Sequence, residues 1–207
     1  ETARSDHFGV NGYARDTTPQ LARLSADAGW ASYRNVESCG TNTAISLPCM
    51  FSHRGRAGQG DVRGPEENLL DVLTHAGLAV AWIDNQSGCK GVCDRVPSTF
   101  TRDAAVPDLC GPATDGCPDE IMLRELPSRL QALDPGRRRN GVVMVMHQMG
   151  GHGPAYHLRS PKAHKRFLPE CKSPHLSQCD RSALINAGFE FPQRRFISRA
   201  QLRRLDD

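Results

Sequence analysis

The chain is 207 residues long, enough for one domain with a buried core and little more. Charged residues make up 24% and the formal net charge is +3, a mild excess without the concentrated basic stripe of a nucleic-acid binder. No run approaches the roughly 18 apolar residues of a membrane-spanning helix, and the opening Glu1-Thr-Ala-Arg4 has none of the charged-then-apolar pattern of a secretory signal.

In chain order, Thr18-Pro19 reads as an N-cap followed by proline at the first helical position, with Leu21, Leu24 and Ala28 on one face and Gly29 as the stop. Ala31 to Val36 reads as a short strand leading into Ser38-Cys-Gly-Thr41. Pro65 opens a second helix whose Leu69, Val72, Leu73 and Ala76 match the i, i+3, i+4, i+7 template, with Gly77 as its C-cap. The apolar run Leu78 to Ile83 is a buried strand. From about Cys89 to Asp119 there is little structural signal, and a loop of that length in a compact domain is usually functional or stapled. A third helix is expected over Asp119 to Leu133, weakened by Pro127. The cluster Arg137-Arg-Arg139 reads as a solvated turn, followed by a strand from Gly141 to Met146. Phe196 to Leu205 reads as a basic, weakly amphipathic helix.

The eight cysteines fall into four consecutive local pairs, Cys39/Cys49, Cys89/Cys93, Cys110/Cys117 and Cys171/Cys179. Short loops close at the lowest entropic cost, so local disulfides are the expected pairing. No CxxC occurs, which argues against a zinc-thiolate site. Disulfides imply an oxidising compartment such as a periplasm.

Helices alternating with apolar strands predict an α/β fold with a mostly parallel sheet flanked by helices. Ligands of such sheets bind beyond the carboxyl ends of the strands. The polar segments there run over residues 41–43, 84–90 and 147–152, and Glu1 joins them if a strand precedes it.

Four of these stretches carry a resemblance. They are Glu1-Thr-Ala-Arg-Ser-Asp-His-Phe8 with Asn11-Gly-Tyr-Ala-Arg-Asp-Thr17; Ser38-Cys-Gly-Thr-Asn-Thr-Ala-Ile-Ser-Leu-Pro-Cys-Met-Phe-Ser52; Asp84-Asn-Gln-Ser-Gly-Cys-Lys-Gly-Val-Cys-Asp94; and His147-Gln-Met-Gly-Gly-His-Gly-Pro-Ala-Tyr156. In order and with their cysteines, they resemble the catalytic domain of phosphoethanolamine–lipid A transferases. That family includes the mobile colistin-resistance enzymes and lies in the alkaline-phosphatase and sulfatase superfamily. The resemblance runs from residue 1 to about residue 187, leaving 188–207 as a divergent tail.

The resemblance implies Thr43 as nucleophile and, with Glu1, as a ligand of catalytic zinc. It implies Lys90, Gln86 and His152 as substrate-binding residues; Gln86 stands where some relatives carry asparagine. His147 reads as an ordinary polar loop histidine. The implied reaction moves phosphoethanolamine from phosphatidylethanolamine to a lipid A phosphate through a threonine-linked intermediate. It takes place at the periplasmic face of the inner membrane, in a protein anchored by an N-terminal membrane domain and expected to be a monomer. No nucleic-acid partner is implied.

The family's later Asp-His-Gly segment, which completes its zinc site, has no match here; Asp6-His7 lies in the opening motif instead. The sequence therefore reads as a C-terminally incomplete domain, expected to be inactive alone. Two alternatives remain open: a superfamily sulfatase, phosphatase or phosphoglycerol transferase, and a non-enzymatic module that binds anionic lipid.

Overall fold

The computed structural model describes residues 5–27, 29–33, 36–58, 66–101, 106–110, 117–153, 156–159 and 162–186. Its regular elements are, in chain order, α1 (Pro19–Leu24), α2 (Thr43–Phe51), α3 (Leu69–His75), β1 (Ala79–Asp84), β2 (Ser98–Phe100), α4 (Leu126–Ala132), α5 (Pro135–Asn140), β3 (Val142–His147), α6 (Tyr156–Arg159) and α7 (Arg181–Asn186), with short 3-10 turns between them. They belong to two compact units. One is formed within residues 37–150, the other from residues before 37 and after 150.

The larger unit is built on a three-stranded parallel sheet in the order β2-β1-β3. Central β1 is buried along its whole length, whereas β3 is partly exposed. Alternate β1 side chains pack on the two faces of the sheet, as strict period-2 geometry requires. Val80 and Trp82 pack with Leu47 of α2, Leu70 of α3 and the loop residues Cys89, Val92, Cys93 and Val96. On the other face Ile83 packs with Cys117, Ile121 and Met122, and Ala79 and Ala81 with Leu133. A strand covered on both sides reads as a continuous apolar run, the pattern seen at Leu78 to Ile83.

Several boundaries differ from the sequence reading. Residues 31–33 and 36 form no strand, and α1 ends at Leu24 rather than before Gly29. The second helix starts at Leu69, set by a capping box. The Asn68 side chain accepts from Leu70 N at 2.8 Å, and Asn68 N donates to Asp71 Oδ2 at 2.7 Å. Pro65 lies outside the described residues. The span 119–133 splits into a 3-10 turn over Asp119–Leu123 and then α4. The break is at Glu125, whose φ is 56°, while Pro127 sits in the first turn of α4, where its missing N–H costs no bond.

The long loop contains β2, three residues held against β1 with Trp82 opposite Ser98. The arginine cluster is not a turn. It forms α5, capped by Asp134 Oδ1 accepting from Arg137 N at 2.7 Å, and Arg137 reaches back to the carbonyls of Thr74 and Leu78. The basic helix expected over 196–205 lies outside the described residues.

Four disulfides join Cys39–Cys49, Cys89–Cys93, Cys110–Cys117 and Cys171–Cys179. In the smaller unit, Cys171, Leu176, Ala183 and Leu184 form a separate core. Arg15 ties that unit's two chain segments together, donating to Asn186 Oδ1 at 2.7 Å and stacking over Phe167. Among the described residues no helix is long and apolar enough to cross a membrane.

Candidate active site

Thr43 is the first residue of α2. Extended Asn42 precedes it and caps the helix, its side-chain oxygen accepting from Ile45 N at 3.0 Å. Gly40 makes the tight approach possible: a Cβ there would stand 2.7 Å from Ile45 Cγ2. The Thr43 hydroxyl therefore sits at the positive end of the α2 dipole, a favourable place for a phosphate.

The loop after β1 supplies the hydroxyl's partner. Gln86 Nε2 donates to Thr43 Oγ1 at 3.1 Å. Gln86 Oε1 accepts from both the N–H and the hydroxyl of Ser87. Lys90 Nζ donates to Ser87 O at 2.6 Å and contacts Ser87 Oγ at 2.9 Å. Thr43, Gln86 and Lys90 thus lie on one hydrogen-bonded string. Lys90 holds a φ of 54° inside the short loop closed by Cys89–Cys93.

Asp84, the last residue of β1, is 1% exposed and anchors this loop. Its Oδ1 accepts from Gln86 N at 2.9 Å and Gly88 N at 3.1 Å; its Oδ2 accepts from Trp82 Nε1 at 3.0 Å and lies 2.8 Å from His147 Nδ1. Burial by itself would raise the Asp84 pKa. The hydrogen bonds from His147, Trp82, Gly88 and Gln86 together outweigh it and hold the carboxyl below its ordinary range. His147 is the end of β3 rather than a loop residue, and it is Asp84's register partner. The sequence marks each of the two as a polar residue directly after an apolar run, and the strand register makes them a pair.

Next to Asp84, Asn85 is also 1% exposed. Its Nδ2 donates to Cys117 O at 2.8 Å and Asp119 Oδ1 at 2.9 Å. Asp119 in turn accepts from Met149 N at 2.9 Å and Gly150 N at 2.7 Å, clamping the turn after β3.

His152 belongs to the smaller unit, its Nδ1 2.8 Å from Gly153 O. Glu1 lies outside the described residues. Catalytic zinc normally takes three protein ligands and an open position. At Thr43 the described residues bring a hydroxyl and an amide, while Asp84 and His147 are turned to each other. Among the described residues one cluster, Cys89, Cys93 and Asp94, has metal-ligand spacing, and both its sulfurs are in a disulfide. The described residues by themselves do not fit a zinc site at Thr43.

A parallel α/β sheet with a helix-start hydroxyl, an amide and a lysine gathered beyond its strand ends is a frame for chemistry on an anionic ester. The Sulfatase family model matches residues 1–195, and the chain belongs to that family. It is 37% identical over 187 residues to "Phosphoethanolamine transferase EptA" of Escherichia coli K12, covering 90% of this chain and 32% of that protein. To "Phosphatidylethanolamine transferase Mcr-1" of Escherichia coli it is 41% identical over 195 residues, covering 90% of this chain and 34% of the other. The chain thus spans about a third of the length of the curated relatives it matches. Its fold is similar to the soluble domain of lipooligosaccharide phosphoethanolamine transferase A from Neisseria meningitidis, with a TM-score of 0.79 and 34% identity over 100% of this chain and 56% of that one.

Proposed function

We propose that this chain is catalytic-domain sequence of a phosphoethanolamine transferase, which moves phosphoethanolamine from phosphatidylethanolamine to a phosphate of lipid A. The observation that carries the reading is the Thr43 hydroxyl at the start of α2, joined through Gln86 and Ser87 to Lys90. The relatives' names support the transferred group, and the name "Kdo(2)-lipid A phosphoethanolamine 7''-transferase", borne by a protein 31% identical over 193 residues, supports the class of acceptor.

In the proposed first step, Thr43 Oγ1 attacks the donor phosphorus, and the bond from phosphorus to the diacylglycerol oxygen breaks. Diacylglycerol leaves with a proton, and phosphoethanolamine remains esterified to Thr43. A lipid A phosphate oxygen then attacks the same phosphorus and releases the threonine. Gln86 orients the hydroxyl, while Lys90 and the α2 dipole face the anionic oxygens. His152 is a proposed substrate contact. Glu1 and Thr43 are the proposed contributors to a zinc site; a bound zinc ion would lower the pKa of a coordinated hydroxyl.

Location follows from the same relatives. The C-terminal periplasmic domain of phosphoethanolamine transferase EptC from Campylobacter jejuni is similar at 33% identity, and the integral membrane protein lipooligosaccharide phosphoethanolamine transferase A from Neisseria meningitidis at 34%. We therefore place the reaction at the periplasmic face of the inner membrane, where disulfides persist. The proposed catalytic stretch is 1–187, with 188–207 as a tail.

The test places residues 37–150 in an active transferase in place of its own matching stretch and follows lipid A by mass spectrometry. Transfer with a phosphoethanolamine adduct on the Thr43 peptide, lost in Thr43→Ala, is the expected result. Transfer that survives Thr43→Ala would remove the nucleophile, and hydrolysis of sulfate esters in place of transfer would favour a sulfatase.

A further inference from the structure

Four donors converge on the Asp84 carboxylate, and they divide by oxygen. Oδ2 takes the side chains of Trp82 and His147, which belong to the sheet; Oδ1 takes the main-chain N–H groups of Gln86 and Gly88, which belong to the site loop. The side chain of Gln86, thus anchored, ends on the Thr43 hydroxyl, and its other end, Oε1, meets Ser87, the partner of Lys90. We propose that Asp84 is a positioning residue that, braced by His147 and Trp82, aims Gln86 at Thr43 and sets the loop carrying Lys90. The proposal rests on Thr43 being the reacting group.

The chemistry of the cluster asks for a carboxylate. Asparagine of the same shape offers one acceptor oxygen and one donor nitrogen. With its oxygen toward the main-chain N–H groups, its NH2 faces the Trp82 indole N–H, which cannot become an acceptor. With the amide reversed, the NH2 faces the N–H of Gln86 and Gly88. His147 could adjust by changing tautomer, but Trp82 and the two main-chain groups could not. Either orientation leaves buried donors opposed, and the site loop is the part able to give way. Asp84 is too enclosed to touch a substrate itself, so its effect must pass through Gln86.

The test is a double-substitution cycle read by NMR on the full chain with labelled threonine methyls and glutamine side-chain amides. Asp84→Asn is expected to shift the Gln86 amide and the Thr43 methyl while leaving the Thr74 methyl in place. In a Gln86→Ala background the same substitution is expected to add no further shift at Thr43. If Asp84→Asn does not fold, His147→Ala is expected to move the same two signals in the same direction. Unmoved Gln86 and Thr43 signals in the folded variant would overturn the proposal. So would a Thr43 shift of equal size with and without Gln86, because Asp84 would then act by another route. This readout needs no turnover, so absence of phosphoethanolamine transfer in the domain exchange would count against the proposed function and leave the positioning result standing. Where transfer is measured, Asp84→Asn is expected to lower kcat by roughly tenfold to a hundredfold, the scale of a misplaced reacting group, with KM little changed.

Discussion

Arg95 holds Asp71 by both carboxylate oxygens, donating from Nε to Oδ1 at 2.7 Å and from Nη2 to Oδ2 at 2.6 Å. Asp71 also closes the capping box of α3, so one buried carboxylate links the helix start to the loop that leads into β2. The Arg95 guanidinium, with the Asn68 N–H, lowers the Asp71 pKa from 3.8 to about 2 against the opposing effect of burial.

A depressed carboxylate pKa contributes stability that is present above the unfolded value and lost as pH falls through the folded one. Asp71→Asn should therefore cost on the order of 1 kcal/mol at neutral pH, screened because Arg95 is partly exposed. The difference in Tm from the unsubstituted chain should shrink between pH 3.8 and about 2. A difference that stays constant through that window would remove Asp71 as the acid-sensitive group.

The strand-entry glycine should resist replacement. Gly141 has a φ of 133°, and a Cβ there would stand 2.8 Å from Leu78 Cδ2. Gly141→Ala is expected to destabilise the chain by roughly 1–3 kcal/mol, from backbone strain and crowding together. Denaturant unfolding measures this directly, and an unchanged midpoint would contradict it.

Removing Asp119 should release the turn after β3. Asp119→Ala leaves Met149 N and Gly150 N without this acceptor and takes from the Asn85 amide one of its two, Cys117 O remaining. Hydrogen exchange at Met149 and Gly150 should accelerate while exchange in β1 stays slow, at a cost of about 1–3 kcal/mol. Equal acceleration in β1 would mean that Asp119 supports the whole sheet.

At Thr43, chemistry and stability should separate. Thr43→Ala and Thr43→Ser are both expected to melt within about 1 kcal/mol of the unsubstituted chain, since the Asn42 cap remains. In the domain exchange, serine keeps a hydroxyl for the phosphoethanolamine adduct and alanine has none. Adduct formation by the alanine variant would move the nucleophile elsewhere.

Much of the architecture was written in local pattern. The run at 78–83 announced β1, and Gly141 to Met146 announced β3, each within one residue of its place. The string Thr43–Gln86–Lys90 joins residues that the family motifs singled out. β2 was illegible because three residues carry too little periodicity, and partner strand β1 decides their conformation. The helix expected over 119–133 breaks at Glu125, which carries no local signal, while Pro127, a weakening residue inside a continuous helix, is tolerated in the first turn of α4. Asp84 and His147 stood inside recognised motifs, but their pairing depends on strand register, which neither segment reveals alone.

The central strand also sets a schedule for biogenesis. β1 meets its β3 neighbour 63 residues later in the chain. At roughly 5–20 residues per second, the ribosome takes several seconds to supply that partner. Through that interval a strand that ends fully buried has one bare flank and invites pairing with other nascent chains. The intervening stretch contains Cys89–Cys93 and Cys110–Cys117, whose short loops can oxidise without waiting for the distant strand. Oxidative folding would then narrow the search before the last strand arrives, so thiol-oxidising capacity should govern how much chain escapes aggregation.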